Sequence, residues 1–437
     1  MEKRLLVLSR ISKPTKSKIL LIVIDGLGGL RHSEYSSKKY SHGMTELQFA
    51  KLPNLDRFVR HELTVTGLIY PVRRGYIPGS GPGHLGLFGY DPFYYEVGRG
   101  AIEAADLPDS KIGVGDIIAR FNFCTIDERR TVVDRRASRI TDGKRLAEIL
   151  NKKIPQINGA RTKVISTKEH RGVFVIKAKV GLDPRITDTD PQENGKMILK
   201  AAPVVNPGER AETQLGATEA ANIVNMYTSR AEKVLRNESP ANAIIFRGFS
   251  TFPDLPKFRS VYQLNAAAIA IYPLYRGLGR ILGMAVLDGA KNFEEEVKLL
   301  NEHYGDYDFF YLHYKDPDAR GEDGDFLGKV KTLEHFDSLL PQIVSENSAK
   351  FKKGEFKFDV ITITGDHATP SVVGAHTHHS VPLAINSNFM KGYDKTKHFT
   401  EEQCIYGSLG RLEGIELMPF LLSNARKLNK FEGFERD

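Results

Sequence analysis

The sequence predicts an α/β protein with a doubly wound sheet core and an inserted α+β domain. At 437 residues the chain exceeds what one ordinary hydrophobic core serves, so two domains are expected. Four apolar, β-branched runs are typical of buried strands, and helical patterns separate some of them. The strand patterns cover Lys18–Ile24, Ala266–Tyr272, Asp308–His313 and Phe358–Thr364, and the helical ones cover Asn292–Tyr304 and Gly328–Glu346.

Residues of the types that can bind metals follow the first, third and fourth of these predicted strands. The first run stops at Asp25 and the fourth at Asp366 and His367, each beside a glycine. Two such strands could lie side by side in a parallel sheet and present these side chains at one edge. That edge is where α/β enzymes keep their chemistry.

The middle of the chain has a different pattern of predicted secondary structure. Between about residues 105 and 265, short β-rich pieces such as Lys163–Ser166 and Gly172–Val180 alternate with polar loops such as Asp183–Gly195. We therefore predict one discontinuous domain, residues 1–105 with 265–437, and one inserted domain, residues 106–264.

The net charge and the cysteine content restrict the classes of partner and structural site that the sequence allows. The net charge is +8, but Lys and Arg are spread along the chain without a nucleic-acid-binding motif, which favours a small anionic substrate over nucleic acid. A plain basic surface is the alternative. Cys124 and Cys404 have no CxxC spacing, so neither a disulfide framework nor a structural zinc site is indicated.

Location follows from the apolar runs. None approaches the roughly 20 residues that span a bilayer, and the basic N-terminus lacks a signal-peptide pattern. We expect a cytoplasmic protein without a membrane partner; the oligomeric state stays open.

Ser80 is a candidate nucleophile. It lies in the turn Pro78-Gly79-Ser80-Gly81-Pro82-Gly83-His84, where a pliable backbone and free helix N–H groups suit a phosphate. A helix N-cap serine is the commoner meaning of such a turn.

A second group of candidate ligands surrounds Asp318 and His376. Asp318 and Glu322 are four apart and could bind one cation from one face of a helical turn, although an exposed acidic loop is the usual meaning. Four histidines, at positions 367, 376, 378 and 379, fall within 13 residues, which favours metal ligation.

Several motifs in order resemble the cofactor-independent phosphoglycerate mutases, archaeal type, of the alkaline phosphatase superfamily. They are Ile22-Val-Ile-Asp25-Gly-Leu-Gly, the Ser80 turn with its continuation to Pro92, Gly98-Arg99-Gly100, Arg120-Phe-Asn122-Phe, Asp134-Arg135-Arg136-Ala, Ile271-Tyr-Pro-Leu-Tyr-Arg276-Gly, Gly324-Asp-Phe-Leu-Gly-Lys329 and Gly365-Asp366-His367-Ala-Thr-Pro.

The resemblance implies an alkaline-phosphatase-like catalytic domain that binds metal and an inserted substrate-binding (transferase) domain. One ion would be held by Asp25, Ser80, Asp366 and His367, and a second by Asp318, residue 322 and His376. Mn²⁺ or Mg²⁺ are favoured, with Co²⁺ or Zn²⁺ possible, and no bisphosphoglycerate would be needed. Ser80 would carry the phosphoryl group between 3-phosphoglycerate and 2-phosphoglycerate, a step of glycolysis and gluconeogenesis.

The resemblance also implies residues that bind the phosphate and carboxylate of the substrate, because arginine binds both groups well. Surface or interdomain salt bridges are the alternative for each arginine. The candidates are His84, Asn122, Arg135, Arg136, Arg247 and Arg276.

Two positions depart from the family pattern. Glu322 stands where histidine is usual, and Gly81 stands where an acidic residue is usual. The extra carboxylate should favour harder ions over Zn²⁺. His378 or His379 is an alternative nitrogen ligand, and both are equally well explained as exposed loop residues. Two other functions stay open: a metal-dependent phosphohydrolase or mutase for another phosphometabolite, and a degraded relative that only binds.

Overall fold

The computed structural model describes residues 1–107, 112–177, 181–204, 206, 208–345, 356–390 and 394–432. The chain divides into two compact units, Met1–Tyr95 with Leu255–Asp437, and Glu96–Asp254. These boundaries, at 95 and 255 against 105 and 265 in the sequence-based division, lie ten residues earlier at each junction. The ends of the predicted elements at Val180 and Glu346 lie outside the described residues.

The strands of the described residues are β1 Ile19–Ile24, β2 Thr64–Tyr70, β3 Ile117–Ile126, β4 Val132–Asp134, β5 Gln156–Ile157, β6 Ala160–Ser166, β7 Arg171–Ile176, β8 Ala243–Thr251, β9 Ala266–Ile269, β10 Ala285–Val286, β11 Phe309–Tyr314, β12 Val360–Thr364, β13 Val381–Ser387 and β14 Gly410–Glu413. The α-helices are α1 Lys3–Ile11, α2 Glu46–Phe49, α3 Pro53–Val59, α4 Ser80–Leu87, α5 Arg99–Ala105, α6 Gly143–Lys153, α7 Ala211–Leu235, α8 Phe258–Tyr262, α9 Pro273–Ile281, α10 Phe293–Glu302, α11 Asp316–Glu322, α12 Phe326–Val344, α13 Glu401–Cys404 and α14 Gly414–Asn424, with a 3₁₀ turn at Ala137–Arg139.

The first unit is built on a mixed sheet in the order β10-β9-β11-β1-β12-β13-β2-β14. β1 lies between β11 and β12 and is parallel to both, so the predicted parallel pairing of the first and fourth strand patterns is confirmed. β13 is antiparallel to β12 and β2, a feature that the sequence analysis did not predict. The α/β class is confirmed.

Helices cover both faces of this sheet, which explains why the central strand β1 is apolar at every position. Leu20, Ile22 and Ile24 pack in one core with residues of α3, α10 and α12. On the other face, the rings of Phe88 at the end of α4 and Phe258 of α8 contact Tyr311 and Phe309 of β11. Burial on both faces holds the strand ends in place and therefore also determines the positions of the residues that follow them.

Two of the observed strand and helix ends differ from the predicted ones, because a helix-capping side chain or a proline determines where the element begins or ends. The strand predicted to reach Tyr272 ends at Ile269, because Pro273 occupies the first turn of α9, where its fixed φ suits a helix. α12 begins at Phe326, two residues before the predicted start, because the Asp325 side chain accepts a hydrogen bond from the Gly328 N–H and caps the helix.

The second unit contains an antiparallel sheet in the order β4-β3-β7-β6-β5, with β8 also paired to β3. Residues of α6 and α7 pack on one face, and residues of α5 pack on the other. Among the described helices of the whole chain, none combines the length and apolar character of a membrane crossing.

Candidate metal centre

The parallel strands deliver acidic and histidine side chains to one edge of the first sheet. Asp25 directly follows β1, and its backbone N–H donates to the carbonyl of Tyr314 at the end of β11 (2.9 Å). Asp366 and His367 follow β12. Gly26 has φ +65°, and an added Cβ would lie 2.8 Å from the Cα of Asp318, so glycine lets the turn after β1 approach α11 closely.

The first donor cluster consists of Asp25, Asp366, His367 and Ser80. Nε2 of His367 lies 3.3 Å from Oδ1 of Asp25, 3.1 Å from Oδ2 of Asp366 and 3.3 Å from Oγ of Ser80. Asp25, Asp366 and His367 are fully buried. Within the described part of the chain, neither Asp25 Oδ1 nor Asp366 Oδ2 accepts a hydrogen bond, although both are buried. Two orphaned oxygens, an imidazole nitrogen and a hydroxyl form a donor set that fits a divalent cation.

Ser80 owes its position to one glycine and one histidine of α4. It is the first residue of α4, after Gly79. An added Cβ at Gly83 would lie 2.3 Å from the carbonyl oxygen of Asp366, so only glycine lets α4 approach this loop so closely. The fully buried His84 donates from Nδ1 to the Ser80 carbonyl (2.8 Å), and the same nitrogen lies 3.3 Å from Asp366 Oδ2.

Three residues that the site prediction did not include hold the other oxygen of Asp25. Tyr275 donates its hydroxyl to Asp25 Oδ2, His313 Nε2 lies 3.1 Å from it, and Lys315 Nζ lies 3.0 Å from it. These donors occupy Oδ2 and leave Oδ1 available. Tyr275 belongs to the motif that supplied Arg276, and His313 and Lys315 lie at the end of a strand followed by ligands, so the signal was present in the sequence.

Charges at the first cluster compensate one another. Burial raises the pKa of Asp25, as does Asp366, but the hydrogen bond from His313 and the charges of His367 and Lys315 hold it below its ordinary value. Burial also opposes ionisation of Asp366, yet His367 and His84 hold its pKa well below the usual range. Burial lowers the pKa of His367, but Asp366, Asp25 and Asp318 raise it to about 9. His367 and Lys315 thus both contribute positive charge beside the buried carboxylates.

The second donor cluster consists of Asp318, His376 and Glu322, and His367 lies against it. Nε2 of His376 lies 3.6 Å from Asp318 Oδ1 and 3.6 Å from Glu322 Oε1. Nδ1 of His376 donates to the carbonyl of Pro78 (2.9 Å), so Nε2 is the nitrogen that could bind a metal ion. The Glu322 side chain is 55% exposed. Donor atoms of Asp318, His367 and His376 lie close enough together to hold one ion.

His378 and His379 contact each other instead of the donor clusters. Their rings stack with centroids 4.4 Å apart, and His379 Nδ1 lies 3.0 Å from the Thr377 hydroxyl. Among the described residues, neither histidine belongs to a group whose donor atoms converge.

The predicted substrate-binding residues are divided between the two units. In the first unit, Arg276 pairs with Asp288. In the second unit, Arg135 forms a bidentate pair with Asp190 (2.9 and 2.7 Å), and Asn122 donates to the carbonyl of Arg135 (3.1 Å). Arg136 is exposed.

Arg247 lies opposite Arg120 in the β3–β8 pair, so these side chains share one face of the inserted sheet with Asn122, two residues along β3. Burial lowers the pKa of Arg120, and Arg247 acts in the same direction. Arg120, which was quoted in a motif but not selected as a candidate, lies near Arg247 and also pairs with Glu103 (3.2 Å), which raises its pKa.

Comparison with known proteins gives concordant results. Residues 62–242 match the family model of 2,3-bisphosphoglycerate-independent phosphoglycerate mutase. A Thermus thermophilus protein, described as a probable 2,3-bisphosphoglycerate-independent phosphoglycerate mutase, is 43% identical over 97% of this chain and 98% of its own length. An Aquifex aeolicus protein with the same description is 41% identical over 97% of this chain and 99% of its own length.

Comparison with solved structures gives the same family. The PH0037 protein from Pyrococcus horikoshii is similar with a TM-score of 0.75 and 26% identity, over 96% of this chain and all (100%) of its own. The cofactor-independent phosphoglycerate mutase from Thermoplasma acidophilum is similar with a TM-score of 0.66 and 26% identity, over 93% of this chain and 100% of its own. The chain therefore belongs to the 2,3-bisphosphoglycerate-independent phosphoglycerate mutases, a family of isomerases that act as intramolecular phosphotransferases.

Proposed function

We propose that this protein interconverts 3-phosphoglycerate and 2-phosphoglycerate through a phosphoserine at Ser80, with two divalent metal ions and without bisphosphoglycerate. The observation that carries the proposal is the convergence of the Ser80 hydroxyl with Asp25, Asp366 and His367, where two buried carboxylate oxygens lack hydrogen-bond partners among the described residues. Membership of the mutase family supports the choice of substrate.

The residues present fit two cations. Asp25, Ser80, Asp366 and His367 would hold one, and Asp318, Glu322 and His376 the other. Divalent ions held by these residues would favour ionisation of the seryl hydroxyl and would neutralise charge on the transferring phosphoryl group. Carboxylates outnumber imidazoles in this donor set, four to two, which favours Mn²⁺ or Mg²⁺ over Co²⁺ or Zn²⁺.

The reaction balances without an added reagent. The Ser80 oxygen attacks phosphorus, the bond from phosphorus to the 3-oxygen breaks, and that oxygen gains the proton that Ser80 loses. Glycerate then reorients, its 2-hydroxyl oxygen attacks the phosphoserine, and the bond from phosphorus to the seryl oxygen breaks. The proton of the 2-hydroxyl returns to Ser80. Water must be excluded while the phosphoserine exists, because hydrolysis would release phosphate.

We propose that the second unit supplies most of the substrate-binding groups and that the first unit is an alkaline-phosphatase-like catalytic domain. In the second unit, Arg135, Arg136, Arg247 and Asn122 would bind the phosphate or the carboxylate of the substrate. In the first unit, the candidates for binding these groups are His84 and Arg276. The turn after Arg136 supports a specialised role, because Ala137, Ser138 and Arg139 all have positive φ (40°, 53° and 55°), a strained conformation typical of functional loops.

The test is an enolase-coupled assay with 3-phosphoglycerate. Metal-stripped protein is resupplied with Mn²⁺, Mg²⁺, Co²⁺ or Zn²⁺ without bisphosphoglycerate, while free phosphate is measured in parallel. The proposal expects metal-dependent 2-phosphoglycerate without matching phosphate release. Phosphate release alone would assign a phosphohydrolase, and neither product would reject phosphoglycerate as the substrate.

A further inference from the structure

The hydroxyl of Thr369 touches one ligand of each donor cluster. Its Oγ1 lies 2.6 Å from Asp318 Oδ1 and 2.9 Å from His367 Nδ1. We propose that Thr369 is a positioning residue for both metal positions, which orients Asp318 and selects the nitrogen that His367 offers to a cation. This inference rests on the metal-dependent function proposed above and assigns a role to a residue that is itself no ligand.

The direction of the two hydrogen bonds follows from the chemistry of the three groups. A carboxylate only accepts, so the single proton of the Thr369 hydroxyl is donated to Asp318. At its other contact the hydroxyl oxygen must therefore accept, and Nδ1 of His367 must donate. When the imidazole is neutral, its lone pair is then on Nε2, the atom that faces Asp25, Asp366 and Ser80.

Close packing holds Thr369 on several sides. An added Cβ at Gly26 would lie 2.8 Å from the Thr369 hydroxyl oxygen, and one at Gly321 would lie 2.3 Å from its carbonyl oxygen. The fully buried Lys329 donates to the same carbonyl (2.8 Å) and to the carbonyl of Gly28 (3.1 Å). Thr369 is itself fully buried, so its hydroxyl has little freedom to reorient.

Partners that orient metal ligands through hydrogen bonds typically change metal affinity by about 10- to 100-fold when they are removed. One hydroxyl here orients ligands in both clusters. We therefore expect its loss to weaken binding at both positions, whereas removal of a ligand from one cluster chiefly affects that cluster.

The experiment compares Thr369→Val, Thr369→Ala and Thr369→Ser in the full-length, metal-stripped protein, titrated with Mn²⁺ alone and followed by calorimetry. The matched control is Thr364→Val, which removes the buried hydroxyl that donates to the Pro382 carbonyl (3.0 Å), two residues before Asp366. Valine keeps the shape of threonine, and alanine serves as a second hydroxyl-free variant if valine disturbs packing. Thermal unfolding without metal reports any general loss of stability.

We expect Thr369→Val and Thr369→Ala to weaken both Mn²⁺ affinities by about 10- to 100-fold, and Thr369→Ser and Thr364→Val to stay near the native values. Native affinities in both hydroxyl-free variants would overturn the inference. An equal loss in Thr364→Val would also overturn it, because a general structural effect would then suffice.

The failure of this inference and the failure of the proposed function give different results. If the native protein bound no Mn²⁺, the two-metal function would be rejected and the role of Thr369 with it. If the native protein bound two ions and only Thr369→Val and Thr369→Ala lost affinity, the inference would hold whatever product the enolase-coupled assay detected.

Discussion

The two donor clusters of the first unit differ in how they are built. Asp25 and Asp366 are fully buried and follow adjacent parallel strands, so the register of β1 and β12 sets their separation. Asp318 and Glu322 belong instead to the short helix α11, and the side chains of His376 and Glu322 are 20% and 55% exposed. The sheet thus preassembles the first cluster, whereas the second depends on a short helix and a loop.

This difference has an energetic consequence. Electrostatic interactions between buried groups are stronger than those near the surface, because water screens exposed charges. A change in the first cluster should therefore cost more than a comparable change at Glu322. Substitutions in the two clusters can test whether this difference in burial determines metal binding and activity.

The largest effect is expected from Ser80→Ala. The variant removes the only atom proposed to carry the phosphoryl group, so turnover should fall by at least about 1,000-fold, and no phosphoenzyme should form. Rapid quench with ³²P-labelled substrate measures the phosphoenzyme, and circular dichroism checks the fold. Turnover near the native rate would remove Ser80 from the mechanism.

A comparison of Asp366→Asn with Asp318→Asn separates the clusters. Each amide keeps the size of the carboxylate but loses its charge. Asp366→Asn should weaken Mn²⁺ binding at the first cluster by more than about 100-fold, and Asp318→Asn should act chiefly on the second. Equilibrium dialysis should find one tight ion in each variant and two in the native protein. Two tight ions in Asp366→Asn would exclude that carboxylate as a ligand.

The contrast between the clusters also explains what the sequence could predict. Asp25, Asp366 and His367 end apolar strand patterns, so strand period alone places them at one sheet edge, and β1 does pair with β12. Tyr275 lies in the motif that supplied Arg276, but it was missed because it does not end a strand pattern and reaches Asp25 from α9, 250 residues away in sequence. The antiparallel β13 was also missed, because pairing direction depends on long-range contacts that local periodicity does not encode.

A smaller effect, on stability, is expected at the acidic network behind the loop that follows Asp25. Glu401 accepts hydrogen bonds from the Gly29 N–H (2.8 Å) and the Thr45 hydroxyl (2.8 Å). Burial raises the pKa of Glu401 to about 7 and the Glu46 carboxylate acts in the same direction, against hydrogen bonds from Gly29 and Thr45 that lower it. The ordinary value is 4.5.

The sign of the pH dependence follows from these values. Between about pH 4.5 and pH 7 the folded state holds a proton that the unfolded state releases, so the free energy of unfolding falls as pH rises. The slope from this group is at most about 1.4 kcal/mol per pH unit, and Glu401→Gln should remove it. Denaturant unfolding of both metal-stripped proteins from pH 4 to 8 measures the difference. Parallel stability curves would contradict the prediction.

The smallest effect is expected from Glu322→His, because Glu322 is the most exposed member of either cluster. A carboxylate favours hard ions and an imidazole favours softer ones, so the variant should raise Zn²⁺ or Co²⁺ affinity over Mn²⁺ at the second cluster by about tenfold. Competition titrations measure this ratio, and Asp323→Asn, which neutralises the neighbouring exposed carboxylate, is the control for net charge. A metal profile unchanged in Glu322→His would mean that Glu322 is no ligand. A change equal to that of Asp323→Asn would mean that only the local net charge affects metal binding at the second cluster. The first cluster would then be a preformed metal site, and the second would be an acidic surface.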